Sequence, residues 1–330
     1  MRTSVRCGAA VAALLLASTP VAIAQSFVDE LAWAYAITPG PAPAAPVDDG
    51  TRYSLTGSTS QFTLDQIRNR MGPADWYPGD HPSMPPVVAH GREAAGIWAC
   101  SLCHYPNGKG RPENASVVGL PKEYFIQQMY DFKNGLRLSA DSRKPNTPIM
   151  AGFAVQMTDE EIQQAAEYFS SMPWTPWIQV VETDTVPKTR IAGGMHLKLD
   201  GAEAGTEPLG NRIVESPIDA EHTELLRDPR SGFIAYVPKG SVARGKELAL
   251  NGNEGVTACT VCHGNDLNGL AIVPSLRGRS PSYIARQLAD MKMGTRRGAW
   301  TPLMAPVVAS LSADDILNLA AYLTSLEPTP

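Results

Sequence analysis

The sequence predicts a mostly α-helical chain of two small tandem domains, with a partly irregular connector between them and an extended segment ahead of the first. Three observations carry this prediction. Two Cys-x-x-Cys-His pentads occur, Cys100-Ser101-Leu102-Cys103-His104 and Cys259-Thr260-Val261-Cys262-His263. The residues around them repeat: aligned on the pentads, Tyr124, Gln128, Gly135 and Arg137 fall opposite Tyr283, Gln287, Gly294 and Arg296, and ahead of the pentads Gly91-Arg92-Glu93 is paired with Gly245-Lys246-Glu247. Each repeat then closes on an amphipathic helical pattern.

In chain order, the first segment runs from Met1 to Ala24. Arg2 and Arg6 precede an uncharged stretch that ends Ala22-Ile23-Ala24, the pattern of a cleaved secretory signal. An uncleaved N-terminal membrane helix is the alternative, because the uncharged stretch nearly spans a bilayer. Cys7 would leave with the signal, so the mature chain of about 306 residues keeps four cysteines, all in the pentads. Residues 25–86 contain Pro39-Gly40-Pro41-Ala42-Pro43-Ala44-Ala45-Pro46, expected as an extended linker, with a short helix near Thr63–Ile67. The first domain is placed at 87–173, a connector at 174–239 and the second domain at 240–330. In the connector, Trp177–Val181 reads as a strand, and Gly193-Gly194 and Asp228-Pro229 as turns.

The closing helices are the clearest local prediction. Thr158 with Glu161, and Ser312 with Asp315, make capping boxes. Ile162, Ala165, Ala166 and Phe169 then share one face, as do Ile316, Leu319, Ala320 and Leu323. Gly91 and Gly245 are expected on a helix ahead of each pentad, where a missing side chain would let it approach the closing helix near Tyr168 or Tyr322.

The pentads set the chemistry. Two thiols two residues apart can add to the two vinyl groups of one haem, and the adjacent histidine can turn its imidazole to the iron, so each pentad reads as a covalent haem c attachment site. Redox dithiols or halves of a zinc site are the competing readings, but neither explains a histidine after both pairs. His81, His90, His196 and His222 lack the spacing of a second metal site and are expected at the surface. The formal net charge is −5 and becomes about −7 once Arg2 and Arg6 leave, which argues against nucleic acid and for partners with basic docking patches.

On these residues each half resembles a small class I cytochrome c domain, and the tandem resembles the dihaem cytochrome c4 family. The resemblance covers about 87–173 and 240–330. It implies two covalently bound haem c groups, with His104 and His263 on one face of each iron. Met150 and Met304, in the family carried on a loop before the last helix, would lie on the other face. Met157 and Met293 are decoys among the 11 methionines. The Pro274 carbonyl is expected to orient His263; the first half has no proline at the matching place, leaving Pro112 as a substitute for His104. Tyr124, Tyr283, Arg137 and Arg296, with Arg297, are candidate haem propionate contacts.

The implied function is single-electron transfer in the periplasm between redox proteins such as a dehydrogenase or a terminal oxidase, with peripheral attachment to a membrane complex also compatible. The competing class is a dihaem enzyme with one open iron, like the bacterial cytochrome c peroxidases or the sulfur-compound oxidising cytochromes. The connector's plain role is a clamp between domains; recognition of a partner is the sharper one.

Overall fold

A computed structural model describes residues 26–41 and 44–328; the signal-peptide segment lies outside the described residues. Among the described residues no single helix is long and apolar enough to cross a membrane. Ahead of the first domain lie α1 (Ala32–Tyr35) and α2 (Leu64–Ile67). The first domain comprises α3 (Pro86–Ala89), α4 (Cys100–His104), α5 (Lys122–Lys133), α6 (Asn146–Gln156) and α7 (Asp159–Ser170). The second comprises α8 (Ser241–Asn251), α9 (Thr260–His263), α10 (Pro281–Lys292), α11 (Thr301–Ala309) and α12 (Ala313–Ser325).

Both closing helices start where their caps place them. In α7 the Glu161 amide donates to Thr158 Oγ1 at 3.2 Å and the Thr158 amide to Glu161 Oε2 at 2.8 Å; Ser312 and Asp315 make the same exchange at α12. Two orphan amides of each first turn are thereby satisfied. The apolar faces are sealed, with Ile162, Phe169, Ile316 and Leu323 all buried.

The two glycines part company. In the second half α8 crosses α12 so closely that a Cβ on Gly245 would lie 1.9 Å from the Asn318 carbonyl oxygen and 2.8 Å from Tyr322 Cβ. In the first half the corresponding helix is only the single turn α3, and Gly91 follows it at φ +65°, facing the backbone of Ile97 to Ala99. Gly91 therefore occupies the place of Gly252 (φ +68°), which faces the backbone of Val256 to Ala258; a pre-pentad loop two residues longer shifts the alignment. Gly245→Ala gains about 1 kcal/mol of helix propensity. It loses more by forcing two backbones apart, so a net destabilisation of about 2 kcal/mol is expected in urea unfolding of the haem-loaded protein.

The connector is richer in strand than a clamp alone requires. It holds β1 (Ile178–Glu182), β2 (Thr185–Pro187), β3 (Thr189–Ala192), β4 (Met195–Lys198), β5 (Thr206–Pro208), β6 (Val214–Pro217) and β7 (Phe233–Val237). They form a sheet in the order β1-β7-β6, parallel then antiparallel, and the antiparallel pairs β2–β5 and β3–β4. Gly193 and Gly194, at φ +59° and +77°, close the β3–β4 hairpin with the primed twist that only φ > 0 allows. Central strand β7 joins the domains: Phe233 belongs to the first core, and Ala235 and Val237 to the second.

Residues 39–41 and 44–52 of the N-terminal segment are extended and largely exposed, while the described stretches on either side pack. Trp33, Ala34 and Tyr35 of α1 enter the core of the second domain beside α10. Leu55, Leu64, Ile67, Trp76 and Tyr77 form a small core of their own with Leu226 of the connector. Composition alone hides this packing, because the buried residues are spread thinly among prolines and polar residues.

Candidate functional site

A cavity lies beside each pentad, lined mainly by its own domain and in part by the other. The first, about 230 Å³, is lined by Cys100, Cys103, His104 and Met150; the second, about 500 Å³, by Cys259, Cys262, His263 and Met304. The methionines sit in the short helices α6 and α11, not in loops. Met157 lines the first cavity too but is held in the core at the start of α7. Met293 packs against the second core and does not line its cavity.

The histidines are oriented alike. His104 Nδ1 lies 2.8 Å from the Ala115 carbonyl oxygen, and His263 Nδ1 lies 2.8 Å from that of Pro274. A carbonyl only accepts, so Nδ1 carries the proton and the Nε2 lone pair is left for a metal. Burial pushes both imidazoles below their ordinary pKa, which keeps them neutral. The first half thus needs no proline: the backbone of Ala115 serves, and the Pro112 carbonyl instead accepts from Arg286 Nη2 at 2.6 Å.

The competing readings of the pentads fit poorly. Burial pushes the Cys100 thiol up to about 12 and the Cys259 thiol to about 11, the reverse of the acidic thiol that a redox dithiol uses. Among the described residues no group of three His, Cys, Asp or Glu side chains is placed to hold an ion by itself.

The polar candidates all meet between the domains. Arg137 donates to Gln128 Oε1 at 3.1 Å, Tyr283 OH at 3.2 Å and Gln287 Oε1 at 2.9 Å. Arg296 reciprocates, donating to Gln287 Oε1 at 2.9 Å, Tyr124 OH at 2.7 Å and Gln128 Oε1 at 2.8 Å. Backbone bonds from Leu138 to Thr295 and from Arg297 to Leu136 close the seam, while the Arg297 side chain is exposed. Tyr124, Gln128, Tyr283 and Gln287 line both cavities, so the two share a polar wall.

Sequence reasoning missed Arg279. It lines the second cavity at 3 % exposure, and its Nη1 donates at 3.1 Å to the Ser116 and Val118 carbonyls of the first domain, yet Nε and Nη2 find no partner. A buried, half-satisfied guanidinium facing an apolar cavity suits a ligand with an apolar body and a carboxylate. That description fits haem with its propionates. Nothing marks Arg279 in the repeat, since Leu120 stands opposite. Lys144 and Arg286, buried beside the first cavity, escaped notice for the same reason.

The four remaining histidines are not all superficial. His81 is almost fully covered and pairs with Asp75 at 3.2 Å, and His196 has a buried, unpartnered Nε2. His222 pairs with Asp228 at 3.0 Å near the surface. His81 and His196 fill gaps where the N-terminal segment and the β3–β4 hairpin pack, contacts too distant in sequence to foresee.

The cytochrome c family model matches residues 88–173 and 242–327, more than half of the chain and one match for each pentad. The chain belongs to the cytochrome c family. Two such domains imply two covalently bound haem c groups. This cytochrome is 25% identical over 245 residues to cytochrome c4 of Pseudomonas aeruginosa, spanning 72% of this chain and 88% of that protein. It is also 25% identical to a thiosulfate dehydrogenase electron acceptor of Thiomonas intermedia, over 70% of this chain and 81% of the relative. Among solved structures, reduced cytochrome c4 of Pseudomonas stutzeri aligns at 22% identity and a TM-score of 0.45, over 69% of this cytochrome and 93% of that chain. The cytochrome is a dihaem, cytochrome c4-like, mostly helical protein.

Proposed function

We propose that this cytochrome carries single electrons between partner redox proteins through two haems, each tied by its pentad cysteines and held between histidine and methionine. One observation carries the reading. In each cavity an Nδ1-anchored histidine and a methionine from a different helix line the same space, so the protein has a donor for each face of the iron. Haem c bound there supplies a reversible Fe(III)/Fe(II) couple, and a thioether ligand favours the reduced state. The residues do the rest: carbonyls fix each imidazole, apolar walls such as Phe125 and Leu288 exclude water, and Arg137, Arg279 and Arg296 balance propionate charge at the shared wall. The amino-terminal sequence pattern supports a periplasmic location. The likeness to a thiosulfate dehydrogenase electron acceptor makes a sulfur-compound dehydrogenase the favoured class of electron donor.

The test is an optical spectrum of the purified protein, oxidised and reduced, with carbon monoxide or peroxide added. Two haems per chain are expected, with no ligand binding. A far-red sulfur-to-iron band should halve in Met150→Ala or Met304→Ala and vanish in the double variant. Rapid binding of either small molecule to the wild type would overturn the carrier reading in favour of a dihaem enzyme.

A further inference from the structure

The two pentads, alike in sequence, meet solvent very differently. Leu102 is 8% exposed, whereas Val261, at the same pentad position, is 68% exposed; Cys103 is half-buried and Cys262 exposed. Val261 does not line its cavity but points outward from it. What covers the first pentad is chain outside the two family-model matches. A π-helical turn at Glu221–Leu225 and the loop to Pro229 lie over it. Arg227 donates to the Leu102 carbonyl and stacks on the Tyr105 ring, Tyr105 OH donates to the Thr223 carbonyl at 3.4 Å, and Asn107 Nδ2 to that of Pro229 at 2.8 Å. This cover is fixed from behind by the N-terminal segment. Trp76 Nε1 donates to the Leu226 carbonyl at 2.8 Å, Arg68 to that of Glu224 at 3.0 Å, and Arg230 pairs with Asp80 at 2.7 Å.

Resting on the electron-carrier reading, we propose that the cover closes the first haem's pentad edge to partners, so that electrons enter and leave through the second domain at the surface around Val261. Tunnelling rates fall exponentially with distance, and even one helical turn adds roughly 10 Å, the width of a helix, between a docked partner and the covered edge. The first haem then exchanges electrons through the second, across the wall shared by Gln128 and Gln287. The chemistry of the partner follows from the rim. Residues 252–274 include exposed Glu254 and Asp266 and no Lys or Arg, and Arg277 Nη1 donates to the Asp266 carbonyl at 2.8 Å, which leaves two carboxylates against that one guanidinium on a chain of net charge −5. An apolar residue inside an acidic rim fits a redox protein whose own apolar edge is ringed by lysine or arginine. Each transfer moves one electron from Fe(II) of the second domain to the oxidised partner; no bond changes and no proton moves.

The test is stopped-flow transfer from the reduced, haem-loaded protein to mitochondrial cytochrome c, a lysine-rimmed acceptor, at low and high salt. Val261→Lys should slow the second-order rate about tenfold and Val261→Glu should speed it, both converging on the wild type as salt rises. Ile218→Lys, an equal change at an exposed apolar position beside the cover, should leave the rate within twofold. Unchanged spectra and midpoint potentials establish that each variant is intact, and Asp266→Lys repeats the test should either substitution at Val261 disturb haem attachment. Equal slowing by Ile218→Lys, or no response to substitution at Val261 and Asp266, overturns the inference while leaving the carrier reading in place. A wild type that passes no electrons to the acceptor overturns both.

Discussion

Replacing Cys259 and Cys262 together with alanine is expected to leave one haem c per chain and a second domain that does not hold its fold. The reason is volume. Without its covalent tether the haem can dissociate, and the core then surrounds a space of about 500 Å³ lined by Leu276, Leu288, Leu319 and Leu323. At roughly 24 cal/mol per Å³ of residual cavity, a fully enclosed void of that size would cost about 12 kcal/mol, which is the ceiling for a cleft partly open to solvent whose walls do not move. That matches the whole stability of an ordinary domain, about 5–15 kcal/mol, so the walls must collapse. The equivalent pair, Cys100→Ala with Cys103→Ala, opens about 230 Å³ and costs about half as much. Haem counted by pyridine haemochrome, with helicity and urea unfolding, separates these outcomes. Equal loss of helix in the two double variants would show that cavity volume does not set the cost.

Arg296→Ala is expected to destabilise the protein by about 3 kcal/mol and to split one unfolding transition into two. A buried guanidinium that makes three bonds is worth more than a surface pair, because bonds to a charged donor contribute about 1.5–3 kcal/mol each and are not additive. Its removal strands the Tyr124 hydroxyl, while the two glutamine oxygens keep one bond each from Arg137. Burial alone would raise the Tyr283 phenol, but Arg137 and Arg296 outweigh it and hold it below the usual range. The alanine variant should therefore titrate its interfacial tyrosine at higher pH. Arg296→Lys, keeping charge without the planar fork, should restore that titration more than the stability. A loss below 1 kcal/mol in the alanine variant would mean that the backbone seam and β7 suffice to hold the domains.

What the sequence displayed and what it hid divide along one line. Features written within a few residues were legible: the pentads, the capping boxes of α7 and α12, the glycine hairpin, and the strand after Trp177. The tyrosines and arginines of the interdomain seam stood out as matched sets because both halves carry them at one spacing. Partners supplied by backbone were not, since nothing in a side chain announces that the Ala115 carbonyl faces His104. Neither were residues without a counterpart, such as Arg279, nor contacts as distant as Trp76 with Leu226. The pairing of Gly91 with Gly245 misled because a motif of three residues outweighed their unequal distances to the pentads, nine residues against fourteen.

The reciprocal bonds of Arg137 and Arg296 have the form of an isologous contact, in which residue i of one unit meets j of the other and j meets i. Two copies of a single-domain ancestor related by a two-fold axis would build the same seam as a homodimer. Joining them in one chain frees their association from protein concentration, and it releases the copies from having to stay identical. The duplicated positions Leu102 and Val261 show that freedom in use: two identical chains could not cover one pentad and, among the described residues, leave its twin exposed.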